Sequence, residues 1–175
     1  MIAIVILLLI NRISPPFFSI DEIKWSADRK LTFDDFKEHP PAATPWAANT
    51  TSNIYFSYDE TDGNLNHVFV YSTFIPSKSW MKKKLPEVLS HEQLHFDITE
   101  YYARKFYAQA AGLVGQQGTQ SKLKQLFADL NNECNTMQNQ YDEESAHGVN
   151  EKEQSEWQEK VHKLLSDTSP YPSGN

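Results

Sequence analysis

Cysteine is almost missing from this 175-residue chain, with Cys134 standing alone. A lone thiol excludes an intrachain disulfide and any cysteine-based zinc cluster, so a bound zinc would have to be held by histidine and carboxylate. Apolar runs are short as well. Residues 2–10 form a nine-residue stretch, well under the roughly 20 residues that a membrane-spanning helix needs. Positive charge is also scarce. Sixteen Lys and Arg face 23 Asp and Glu, for a net charge of −7, and the longest basic run is Lys82-Lys83-Lys84. That balance offers no basic stripe to a nucleic acid. Finally, neither glycine nor proline interrupts residues 87–111, so nothing in that stretch breaks a helix.

What fills that unbroken stretch is His91-Glu92-Gln93-Leu94-His95. On a helix the two histidines fall about 40° apart on one face, one turn from each other. Imidazoles so placed can share one tetrahedral zinc. Glu92, about 100° round from His91, is placed to act as general base on a zinc-activated water. Pro86 suits the first helical turn and Glu87 favours the positive end of the helix dipole. The spacing predicts a helix from Pro86 to Gly112, apolar on two sides and therefore buried at the centre of the fold.

Around it the chain reads as one domain over residues 21–166, with residues 167–175 as a flexible tail. Its aromatic content of 13% argues against disorder. Residues 1–20 read as a secretion-signal-like or anchoring segment, although no Lys or Arg precedes the apolar run and no small-residue cleavage site follows it. The protein is accordingly expected to be secreted or periplasmic, or held at the membrane by this segment alone. Leu31, Phe33 and Phe36 suggest a short strand and turn. Residues 50–58 and 66–75 alternate as strands around the turn-forming residues 59–64, which predicts an antiparallel hairpin. Ser79 is read as capping a turn over residues 80–84. A second helix is expected over 119–141, with Leu123, Leu126, Phe127, Leu130, Cys134, Met137 and Tyr141 as its core stripe, and a third over 150–166 capped by Asn150.

A catalytic zinc takes three protein ligands and one open position. Ile98 and Tyr101 occupy the positions where the metzincin pattern needs glycine and histidine, so that class is excluded. Glu100 and Asp97 point away from the histidine face on a straight helix. Three candidates for the third ligand remain: His147, Glu133 and Glu144. If the second helix folds back antiparallel on the first, its length returns residue 141 and the loop beyond it to the start of the motif helix. This geometry puts His147 first and leaves Glu133 and Glu144 as alternatives. Tyr141 is a candidate transition-state stabiliser if its hydroxyl faces the site, against the simpler reading of a core residue. His67 sits on a strand that could border the cleft, against the simpler reading of a partly buried polar residue, and His39 and His162 have no helpful neighbours.

The set Leu31-Thr32-Phe33-Asp34-Asp35-Phe36-Lys37, Ser79-Trp80, His91-Glu92-Gln93-Leu94-His95-Phe96-Asp97 and Tyr141-Asp142-Glu143-Glu144-Ser145-Ala146-His147-Gly148, followed by Gln154 and Trp157, resembles a bacterial family of predicted secreted zinc-dependent proteases, carried as a domain of unknown function. Phe33 departs from the tryptophan expected there. The resemblance spans about residues 25–165 and implies a zincin-like α+β fold, with a small antiparallel sheet packed on the long motif helix and two further C-terminal helices. It also implies a zinc-dependent metallohydrolase, most simply a peptidase with one Zn2+ per chain and Glu92 as base. Such a protein would act as a monomer on a peptide or protein substrate. The alternative is a non-catalytic, zinc-stabilised peptide-binding module of the cell envelope.

Overall fold

Asp62 and Gly63 both adopt positive φ, 52° and 76°, the geometry a two-residue hairpin turn requires and an Asp-Gly pair readily supplies. They join two long strands, Ser52–Thr61 (β3) and Asn64–Phe74 (β4). The register pairs Phe56 with Val70 and Tyr58 with Val68. A short strand, Ile23–Lys24 (β1), adds to the far side of β4, giving an antiparallel sheet of order β1-β4-β3. Ala48–Asn49 (β2) and Trp80–Met81 (β5) form a separate two-stranded antiparallel pair. Three helices follow, Pro86–Ala111 (α1), Gln120–Glu144 (α2) and Glu151–Asp167 (α3). The fold is α+β, with a small antiparallel sheet against three helices. These statements rest on a computed structural model that describes residues 21–168, 170 and 171. The signal-like reading of residues 1–20 lies outside the described residues, and among those described no helix is long and apolar enough to cross a membrane.

α1 is buried on two sides. One side carries Leu94, Ile98, Tyr102 and Phe106 into the main core, where they meet Ile54, Phe56, Val68 and Val70 from the sheet. The same core takes Leu123, Phe127, Leu130, Cys134, Met137 and Tyr141 from α2, and Trp157, Val161 and Leu165 from α3. Phe96 packs on the other side with Leu31, Phe36, Phe74 and Met81. Cys134 is a buried thiol, and burial pushes its pKa up to about 12, as expected of a small apolar core residue.

α2 runs antiparallel to α1. Lys105 meets Glu133, His95 meets Gln138, and His91 meets Tyr141, so positions rise on one helix as they fall on the other. The connection is pinned to the hairpin by Gly115 N–H to Leu65 O and Leu65 N–H to Gln116 O. Two local expectations fail. The expected turn forms over residues 33–35 as 3-10 helix, but the strand expected with it does not, because the Asp35 carboxylate accepts the Thr32 backbone N–H and hydroxyl and folds the segment back. Ser79 caps no turn. Its hydroxyl donates to Ile75 O and accepts the Thr51 N–H, and Trp80 and Met81 continue as β5. At the C-terminal end α3 extends to Asp167. Beyond it, the Tyr171 hydroxyl donates to Glu100 Oε2 at 2.8 Å, tying that part of the expected tail to α1.

Candidate metal centre

Helix α1 presents His91 and His95 one turn apart, with ring centroids 4.8 Å from each other. Their Nε2 atoms lie 3.2 Å apart. Asp142, in the last turn of α2, sets Oδ1 at 3.1 Å from each of those nitrogens. Two nitrogens and one oxygen thus stand as a near-equilateral triangle. A tetrahedral zinc with bonds of about 2.0–2.1 Å has donor-to-donor edges of roughly 3.3 Å, so the triangle is close to the size that such an ion needs. His91, His95 and Asp142 form a grouping able to hold a metal ion among the described residues.

The surroundings hold this triangle in place. Tyr141 stacks on His91 with centroids 4.6 Å apart and meets His95 edge-on at 4.9 Å. His91 Nδ1 lies 3.1 Å from Gln154 Oε1, and His95 Nδ1 lies 2.5 Å from Gln138 Oε1. Gly148, at φ +80°, approaches His91 so closely that a Cβ there would lie 3.1 Å from its Cβ, Cγ and Nδ1. The two residues before it, Ala146 and His147, also take positive φ, 50° and 54°. Non-glycine residues rarely accept that conformation, and such strain collects at functional sites.

Charge is divided unevenly across the cleft. Burial opposes the cationic form of His95, but hydrogen bonding and charge from Asp142, then Glu92 and Gln138, outweigh it and raise its pKa above 6.5. Burial likewise raises Asp142, and the hydrogen bonds and charges of His91 and His95 more than reverse this, holding the carboxyl well below its usual range. Glu92 is 4% exposed, and its Oε2 has no hydrogen-bond partner among the described residues. Together with Trp46, Asn49, Thr50 and Val88, these side chains line a cleft of about 130 Å³.

The other sequence candidates take different places. His147 reaches the same carboxylate, its Nδ1 3.2 Å from Asp142 Oδ1. It stands at the cleft rim with its ring 4.1 Å from that of Trp46, and Asp142 rather than His147 completes the three-donor grouping. The reason is helix length: α2 continues to Glu144, past the expected end at 141, so position 142 still projects from the helix and 147 falls beyond it. Glu133 pairs with Lys105, half-exposed and away from the histidines. Glu144 accepts from Trp157 Nε1 and Gln140 Nε2. Tyr141 is fully buried, and its hydroxyl donates to Gln154 Oε1 at 2.7 Å, so it supports the histidines from beneath and does not line the cleft. Asp97 accepts from Trp25 and Gln93, and Glu100 from Ser72 and Arg104. Asp142 was legible only as a carboxylate one helical step past the core residue Tyr141.

Fold and site together define an α+β protein with a two-histidine, one-aspartate candidate metal centre bridging two antiparallel helices. A family model described as "Bacterial protein of unknown function (DUF922)" matches residues 76–148, a segment that contains His91, Glu92, His95, Asp142 and His147. No curated protein and no solved structure matches the chain.

Proposed function

We propose that the protein is a zinc-dependent metallohydrolase of the zincin type, acting as a peptidase with Glu92 as general base. The observation that carries this reading is the pairing of two features in one cleft. Three donor atoms lie 3.1–3.2 Å apart, and beside them a buried carboxylate oxygen has no partner among the described residues. A buried polar atom left without a partner is costly in a purely structural site. It is what a general base needs if a water is to bind within its reach.

In this reading His91 Nε2, His95 Nε2 and Asp142 Oδ1 would hold the ion, and His147 stands beside them at the rim. Zinc held there would supply a Lewis acid and lower the pKa of a water toward 7. Glu92 takes the proton from the attacking water and returns it to the leaving amine. The peptide preference comes from the cleft's shape. It is too small for a typical drug-sized ligand and runs beside the short strand β2, an arrangement suited to an extended chain. Export, suggested by the apolar residues 2–10, would bring such an enzyme to extracytoplasmic peptides.

The test combines metal content and turnover. Purified protein should carry about one zinc per chain by mass spectrometry, as one such centre implies. Glu92→Gln should keep the zinc while slowing peptide hydrolysis by about 10²–10⁴-fold, the usual worth of a general base. Zinc near zero after supplementation would sink the metal centre. Bound zinc with no hydrolysis by the unaltered protein would leave the peptide-binding module in its place.

A further inference from the structure

Gln138 reaches His95 at Nδ1, the ring nitrogen turned away from the cleft's donor triangle. It lies in the second-last turn of α2, is 5% exposed, and has both polar atoms of its amide engaged. Its Nε2 donates to the backbone oxygen of His95 at 2.9 Å and to Thr99 Oγ1 at 3.2 Å. Its Oε1 faces His95 Nδ1 at 2.5 Å. These contacts settle which way the amide points. A backbone carbonyl can only accept, so the amide NH2 must face the His95 oxygen, and the amide oxygen must then face the ring. An amide oxygen can in turn only accept, so Gln138, at 2.5 Å, draws the proton of a neutral His95 to Nδ1 in competition with Asp142 Oδ1, which would take it on Nε2 at 3.1 Å; the shorter contact favours Nδ1. That leaves Nε2 as a bare lone pair, 3.1 Å from Asp142 Oδ1 and 3.2 Å from His91 Nε2.

We propose that Gln138 is a positioning residue of the metal centre: through its amide oxygen it fixes His95 in the Nδ1–H tautomer and turns the Nε2 lone pair toward the donor triangle. The same amide nitrogen also reaches Thr99, whose hydroxyl lies 2.7 Å from that of Ser52 at the start of β3. Sheet, α1 and α2 thus all meet at one hydrogen-bonded relay behind the ligand. Gln154 occupies the matching place behind His91, with Oε1 3.1 Å from Nδ1. Its Nε2, however, has no partner among the described residues, so no carbonyl there fixes that amide as His95 O fixes Gln138. The tautomer of His95 is therefore the more firmly imposed of the two.

The purpose of this lock rests on the metal-centre reading, but its geometry does not, and the test keeps the two apart. Nitrogen-15 NMR of the metal-free protein at about pH 9, well above the ordinary imidazole pKa near 6.5, reads the tautomer of each neutral ring. His95 is expected in the Nδ1–H form. In Gln138→Met, which keeps the length and loses the acceptor, His95 should become a mixture of tautomers while His91 is unchanged. Zinc affinity, measured by chelator competition, should fall by about 10–100-fold, the usual effect of losing an outer partner of a ligand histidine. An Nε2–H tautomer at His95 in the unaltered protein overturns the proposal whether or not the variant folds, as does an unshifted Nδ1–H signal in a folded Gln138→Met. A protein with the Nδ1–H tautomer that takes up no zinc supports the lock and overturns the metal reading instead.

Discussion

Glu92 and Asp142 are carboxylates on the same cleft, yet their surroundings give them opposite characters. Asp142 Oδ1 has three imidazole nitrogens within 3.2 Å. A carboxylate so surrounded stays ionised and is suited to be a ligand. Glu92 Oε2 has no donor among the described residues, which suits a group that must gain and lose a proton. The residue-scale prediction follows from this contrast. Asp142→Ala should weaken zinc binding by more than the roughly 10–100-fold typical of an outer partner. His147→Ala should weaken it less, and Glu133→Gln, paired out on the helix surface with Lys105, should leave it unchanged. Calorimetric titration of the three variants side by side gives the order. An aspartate variant that binds as tightly as the unaltered protein would displace Asp142 from the ligand set.

At the scale of elements, the site depends on the end of α2 and the turn that follows it. Ala146, His147 and Gly148 all take positive φ, which folds the chain back so that Gly148 lies against His91. Gly115 offers a natural control, because its φ is +83° and nothing would meet an added Cβ. Gly148→Ala and Gly115→Ala should each lose about 1–2 kcal/mol from the left-handed backbone, seen as similar losses in chemical denaturation. Only Gly148→Ala should also displace the His91 ring and weaken zinc binding. Equal zinc affinity in both variants would mean that the close approach to His91 is without consequence for the site.

At the scale of the whole molecule, α1 lies between the sheet and the other two helices, so events at the histidines should register in global stability. In the metal-free protein the folded pKa of His95 is raised. Its contribution is therefore fully present below about 6.5 and is lost as pH rises through the raised value. Asp142 is depressed, so its contribution is present above about 3.8 and is lost as pH falls toward its folded value. Zinc needs a neutral His95, so below that raised pKa it must displace a proton, and affinity should fall by about tenfold per pH unit. The rise in Tm on adding zinc should accordingly grow from about pH 5.5 to about pH 8. A thermal shift that stays constant over this range, followed by differential scanning fluorimetry, would show that no titrating histidine takes part.

The sequence alone determined the parts that depend on short-range chemistry. An uninterrupted run from Pro86 to Gly112 specified α1, because nothing in it can break a helix, and the spacing of His91 and His95 put both on one face. The Asp62-Gly63 turn specified the hairpin, and the stripe from Leu123 to Tyr141 specified the buried side of α2. Only the tertiary structure decided what stands opposite the histidines. The choice among His147, Glu133 and Asp142 turns on how far α2 continues and on the angle at which it returns. Both are set by packing of α2 on α1 and by the strained turn at residues 146–148, not by any local propensity. Gln138 was hidden for the same reason. A glutamine in a helix carries no signal of its own, and only the antiparallel register that brings it beneath His95, with a backbone carbonyl to orient it, gives that amide a task.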